Sequence, residues 1–287
     1  MRSATATPSS RPRRVRIALL VLANAVAALA FLWPFLLPAA LGDSGPHAED
    51  APFLLLAVMA CLSAVLFVDL GRGGMGAKGV ALIGVLAAAM VALRLPGFVA
   101  GFSAMFIVVL VAGNAFGPAF GFVLGAVGLF ASGLFLGGIG PWLPFQMAAV
   151  GWVGLGAGLL PGAGTPWAKR LGWLAVYGVV IGYAFGIVMN LWSWPFTAAG
   201  SEISWVPQEG LEENLRHYAA YYATTSFVWD TFRAIGNAAM VLVLGRPLLG
   251  ALDRAARRLR LDIREPVFVP AAVRPSRRSE TLPTPPT

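Results

Sequence analysis

Apolar residues run along the chain in long uncharged blocks, near 15–41, 52–70, 78–95, 101–116, 118–136, 142–161, 171–192 and 222–249. From Gly97 to Ala168 there is no Asp, Glu, Lys, Arg or His. A helix that crosses the hydrocarbon core needs roughly 20 apolar residues, so this stretch alone holds about three spans. It is crowded with glycine and interrupted at Gly117-Pro118 and at Gly140-Pro141-Trp142-Leu143-Pro144. At those breaks the chain is expected to turn at or inside a bilayer. The pattern predicts an all-α, polytopic integral membrane bundle with eight candidate spans, some short enough to be tilted, broken or re-entrant.

The loops test that count. With the N-terminus inside, Arg72 and Lys78 fall in one cytoplasmic loop and Lys169 with Arg170 in another. The alternate loops carry Asp43, Glu49 and Asp50, and later Glu202, Glu209, Glu212 and Glu213. Of 21 Lys and Arg, all but Arg94, Arg216 and Arg233 then lie on one side. The positive-inside rule predicts this asymmetry, and an odd number of spans would destroy it. Both termini are therefore expected in the cytoplasm. The first apolar run is too long for the core of a signal peptide and reads as a retained helix.

Composition agrees: 58% hydrophobic and 12% charged residues, with a mean hydropathy of +0.75, lie outside the range of soluble globular domains. The net charge of +8 sits in the flanks, not on a nucleic-acid surface. Residues 1–14 and 265–287 read as disordered tails beside an anionic leaflet. Leu252 to Leu261 reads as a short basic amphipathic helix on the cytoplasmic face, suited to lipid or, alternatively, to a partner protein. A single cysteine, Cys61, and two histidines, His47 and His217, exclude an intrachain disulfide and argue against a metal cluster. No cofactor is expected.

Catalytic motifs are missing. Gly71-Arg72-Gly73-Gly74-Met75-Gly76 matches G-x-G-x-x-G but lies between two spans with no βαβ unit around it. A Walker A motif fails because Gly79 follows Lys78 where Ser or Thr is needed. No metalloprotease or esterase signature is present, and the chain is not expected to be an enzyme. Asp69 ends a span and reads as interfacial.

Small residues recur every four positions: Gly84, Ala88 and Ala92; Gly113, Gly117, Gly121 and Gly125; Gly178, Gly182 and Gly186. Between helices in lipid, small residues permit close backbone approach, either within the bundle or against another subunit. Asp230 and Arg233, three apart and followed by Asn237, form the one deep charged constellation. Intramembrane charges usually pair while facing an interior or an aqueous cavity. Asn114, before the Gly-Pro break, is expected to cap broken backbone there. At the outer ends of the spans gather Arg94, Trp142, Gln146, Asn190, Trp192, Ser193 and Trp194. The segment 193–221 adds Trp205, Tyr218 and Tyr221, with Tyr222 just after it. Aromatic walls with few convergent polar groups are the usual form of a small-molecule site. The candidate substrate-binding set is Arg94, Trp142, Gln146, Asn190, Trp194, Asp230, Arg233 and Asn237.

From Lys78 to Arg246 the chain resembles the substrate-binding S components of energy-coupling factor (ECF) vitamin transporters. The resemblance rests on the Gly84/Ala88/Ala92 helix and on Ala112-Gly113-Asn114-Ala115-Phe116-Gly117-Pro118. It continues through Gly121-Phe122-Val123-Leu124-Gly125-Ala126 and Gly138-Ile139-Gly140-Pro141-Trp142-Leu143-Pro144-Phe145-Gln146-Met147. It implies a six-helix core over 78–250, with 15–77 as two added N-terminal spans of unexplained role and 251–264 as the basic helix. It further implies capture of a vitamin or related micronutrient from outside, then association with a transmembrane coupling subunit and paired cytoplasmic ATPases. Docking would use a small-residue face, here Ala81, Gly84, Ala88 and Ala92. The aromatic outer segment suggests a bulky or ring-containing ligand such as cobalamin. Localisation would be a bacterial plasma membrane. A self-contained secondary transporter using Asp230 as its coupling group, or a membrane enzyme or assembly factor for envelope lipids, are the alternatives.

Overall fold

A computed structural model describes residues 18, 21–22, 24–32, 57, 60–61, 76–94, 103–136, 138–197, 200–206 and 209–263. Among them there is no strand. Seven helices follow from Gly76 on: α1 (Gly76–Arg94), α2 (Met105–Phe116), α3 (Pro118–Leu136), α4 (Leu143–Leu159), α5 (Trp167–Thr197), α6 (Leu211–Thr225) and α7 (Phe227–Ile263). Four of them, α1, α3, α5 and α7, are long and apolar enough to cross a membrane. The two shorter apolar helices, α2 and α4, complete the bundle. The isolated N-terminal positions are helical; the remainder of 15–77, including Asp69 and Arg72, lies outside the described residues.

The centre of the bundle is α2. Every residue from Met105 to Asn114 is buried, so the helix needs no polar face and shows none. Its 12 residues rise about 18 Å, well short of the roughly 30 Å hydrocarbon core. Gly117, at φ 97°, breaks the helix in a conformation that glycine adopts without strain, and Pro118 opens α3. Close packing then explains the small residues. Gly121 of α3 and Gly154 of α4 face one another so tightly that a Cβ on either would collide with the other's backbone. On α5, Gly178, Gly182 and Gly186 lie against Asn237, Ala234 and Asp230 of α7 in turn. Both ladders are internal. Gly117 belongs to neither, since nothing packs where its side chain would be.

Two segments differ from the sequence-based expectation. The eighth apolar run does not begin at 222: Tyr222 belongs to α6, a separate amphipathic helix, and α7 starts at Phe227 after Ser226. The basic stretch Leu252 to Leu261 forms no separate helix either, because α7 continues unbroken to Ile263. Its 37 residues rise about 55 Å, far more than one hydrocarbon core. Near the N-terminus, Ala27 and Phe31 are buried in the common core, Phe31 against Phe145 (5.1 Å between centroids) and Trp152 (5.5 Å). The Trp152 indole N–H also donates to Asn24 Oδ1. The first apolar run is thus joined to α4.

Candidate functional site

The helices alternate in direction and give the bundle two ends. Arg94, the turn 138–142, the C-terminus of α5 and helix α6 make one, here called the tryptophan end. The Gly117-Pro118 break, the turn 160–166 and the last turns of α7 make the other.

Asp230 and Arg233 lie on α7 where it meets α5 near the tryptophan end. Asp230 is 1% exposed. Its Oδ1 accepts from Arg233 Nη1 at 2.5 Å and its Oδ2 from the Tyr222 hydroxyl at 3.0 Å. Room for the carboxylate exists because residue 186 is glycine; a Cβ there would occupy the place of the carboxylate. Arg233 also donates to the Gly182 carbonyl at 3.1 Å and lies 5.1 Å over the Phe185 ring. Burial, foremost, and then the hydrogen bond to Asp230 push the Tyr222 hydroxyl above its ordinary range, so it stays a donor. The predicted pair is therefore joined by Tyr222 in a unit of three side chains.

A second group surrounds the start of α4. Trp142 folds back so that its ring covers Gly140 and its indole N–H donates to the Gly138 carbonyl at 3.1 Å. It meets Trp192 edge-on with centroids 6.4 Å apart. Gln146, half-buried in the first turn of α4, makes no side-chain hydrogen bond among the described residues. Arg94, at the end of α1, donates to Ser132 Oγ at 3.0 Å. Ser132 in turn is one residue from Gly133, whose carbonyl accepts from the Gly138 N–H at 3.0 Å. Arg94, Trp142, Trp192 and Gln146 thus belong to one neighbourhood.

The other predicted residues are placed differently. Asn190 donates to Ser226 Oγ at 2.7 Å and ties α5 to the α6–α7 junction. Trp194 is 0% exposed; its indole N–H donates to the Ile203 carbonyl at 2.9 Å and its ring packs on Tyr218 at 5.1 Å. It anchors the segment that leads to α6. Asn237 is deeper, donating to the Gly178 carbonyl at 3.1 Å. Among the described residues its Oδ1 is buried without a hydrogen-bond partner, as is the Trp192 indole N–H.

Sequence reading missed the strongest polar network, at the opposite end. Arg170, placed in a loop by its charge, is 2% exposed in the first turn of α5. It grips Asp253 of α7 with two bonds of 2.6 and 3.0 Å and donates through Nε to Asn114 Oδ1 at 2.7 Å. Asn114 Nδ2 lies 3.2 Å from the Pro161 carbonyl and 3.4 Å from that of Ala157. So Asn114 caps the end of α4, not the Gly-Pro break beside it. Asp253, an acid inside an arginine-rich stretch, was the available signal. Ser132, the partner of Arg94, carried none, and Tyr222 was read only as part of the outer aromatic cluster, not as the partner of Asp230.

Among the described residues, one face of α1 is left uncovered by the bundle. On α1, Ala81, Gly84, Ala88 and Ala92 are exposed while Ile83, Ala87 and Met90 are buried, and nothing packs where a Gly84 side chain would be. A strip of small residues therefore runs along the exposed side of α1, with Val85 beside it.

No curated protein and no solved structure shows significant similarity to the chain. The family model of the ECF transporter, substrate-specific component, matches residues 78–245, the span from α1 to α7. The all-helical bundle, with long apolar helices and a multi-pass membrane character, agrees with that match. With more than half its length covered, the chain belongs to the substrate-specific components of ECF transporters, the substrate-binding subunits of these membrane importers.

Proposed function

We propose that this S component captures a vitamin-like micronutrient at the outer face of a bacterial plasma membrane and delivers it through a coupling subunit driven by two cytoplasmic ATPases. In this reading the tryptophan end faces outward and both termini are cytoplasmic, as the charge asymmetry of the loops favours. The ligand is met by Arg94, Trp142, Gln146 and Trp192, with the Tyr222–Asp230–Arg233 unit and Asn190 shaping the wall beside it. Its aromatic surroundings suit a bulky, ring-containing molecule, of which cobalamin is one.

The observation that carries the reading is the exposed strip Ala81, Gly84, Ala88 and Ala92 on α1. Without large side chains to interlock, a partner helix can approach closely and still slide. Its test separates capture from delivery. Gly84→Trp and Ala88→Trp are expected to abolish cellular uptake while the purified protein still binds its ligand. Normal uptake by both variants would remove the docking role from this face.

A further inference from the structure

Three arginines turn into the bundle, and two are met by buried aspartates: Arg170 by Asp253 at 2.6 Å and Arg233 by Asp230 at 2.5 Å. Arg94 is met by a hydroxyl alone. Its place on α1 follows Ile83, Ala87 and Met90 along the buried stripe, so its side chain turns toward α3 and reaches the fully buried Ser132. Among the described residues, no carboxylate lies within ion-pair distance of it. A cation held inside a membrane bundle without a counter-charge is costly, and such residues mark ligand paths. Ser132 uses only one of the five N–H donors of the guanidinium.

The surroundings have the same sign. Helices α2 and α4 both begin at this end, and neither has an acidic residue in its first turn or a side-chain cap. The positive poles of both helix dipoles are therefore not offset locally. The buried Trp192 N–H, without an acceptor, adds a further donor beside Trp142. The acids in and just before α6 do not fill the gap: Glu212 and Glu213 pair with Arg216 on the exposed side, and Glu209 lies by His217. Among the described residues, what surrounds Arg94 lacks an acceptor that carries negative charge.

We infer that the captured micronutrient is an anion, whose carboxylate or phosphate is held by Arg94 while its ring lies against Trp142 and Trp192. The inference rests on the capture reading above and narrows it to a charge class. A lipid headgroup phosphate offers the same chemistry, and the test distinguishes the two sources.

The full-length protein, in nanodiscs of zwitterionic phosphatidylcholine, is incubated with the dialysable metabolites of a bacterial lysate. The extract is spiked with pairs that differ in charge: nicotinate and nicotinamide, biotin and its amide, pantothenate and panthenol. Bound molecules and retained lipids are released by denaturation and identified by mass spectrometry for the wild type, Arg94→Lys and Arg94→Gln. The expected result is a carboxylate- or phosphate-bearing small molecule on the wild type. Loss of a charge-assisted bond predicts about tenfold less or lower on Arg94→Gln, with partial retention on Arg94→Lys. A neutral or cationic ligand, or an anion held equally by Arg94→Gln, overturns the inference and leaves the capture reading standing. An anionic lipid retained through Arg94 in place of a soluble molecule overturns it by assigning the site to headgroups. A wild type that holds no small molecule overturns both.

Discussion

The two ends of the bundle treat buried polarity in opposite ways. At the Arg170 end the buried charges are paired: among the described residues, one guanidinium links α5 to α7 through Asp253 and to α2 through Asn114, which in turn caps α4. At the tryptophan end an inward arginine has only a hydroxyl, an indole N–H has no acceptor and a glutamine has no bond among the described residues. Natural structures leave few buried polar groups unsatisfied, and those few call for an explanation. A fully satisfied network rigidifies, whereas an unsatisfied one retains bonding capacity for something else. On the proposed capture reading, the contrast assigns scaffold to one end and recognition to the other.

The largest expected effect comes from breaking the scaffold end. Asp253→Ala leaves Arg170 buried without its counter-charge, and the cost of such a break is about 3–5 kcal/mol. Thermal unfolding in detergent should show a large drop in midpoint. The double variant Arg170→Met with Asp253→Leu should recover most of it, because two apolar side chains of similar volume carry no desolvation cost. If Asp253→Ala unfolds at the wild-type midpoint, the network does not hold the helices together and the contrast collapses.

Next in size is the α5–α7 seam. Gly186→Ala forces its new Cβ into the Asp230 carboxylate, and Gly182→Ala collides with the backbone of Ala234. Overpacking typically costs about 1–3 kcal/mol. Gly186→Ala should in addition weaken ligand binding, since Asp230 must give up its place beside Arg233 and Tyr222. Gly182→Ala should lower stability with a smaller change in affinity. Equal affinity losses in both would mean that the Asp230 unit has no special connection to the site.

Much of this was legible in the sequence, for identifiable reasons. Uncharged runs and the Gly-Pro breaks located α1 to α5, because bilayer thickness and the helix rise leave little freedom. The Asp230–Arg233 pair was legible because three-residue spacing on a helix is a local property. Arg170 was not: its charge matched the loop rule, and its partners at 114 and 253 are distant in sequence. The fusion of the basic stretch to α7 escaped for a similar reason. The composition changes at residue 246, but a helix crosses such a change without interruption. Ser132, among small residues on α3, became informative only when the fold brought Arg94 to it.

The smallest expected change is also the one that separates the two ends most sharply. Arg94→Gln removes a cation that no carboxylate among the described residues balances, so none of them is left with an unpaired charge. The amide can still reach toward Ser132, and the empty protein should unfold at or slightly above the wild-type midpoint. Arg170→Gln is the same substitution at the other end, yet it strands the Asp253 carboxylate in a buried site and should lower the midpoint strongly. The pair therefore reads the chemistry of each site with one side-chain exchange, in one assay, without any ligand. If Arg94→Gln destabilises the empty protein as much as Arg170→Gln does, Arg94 is structural after all. Unchanged stability in Arg94→Gln, with a loss only when ligand is present, places the missing negative charge on the ligand.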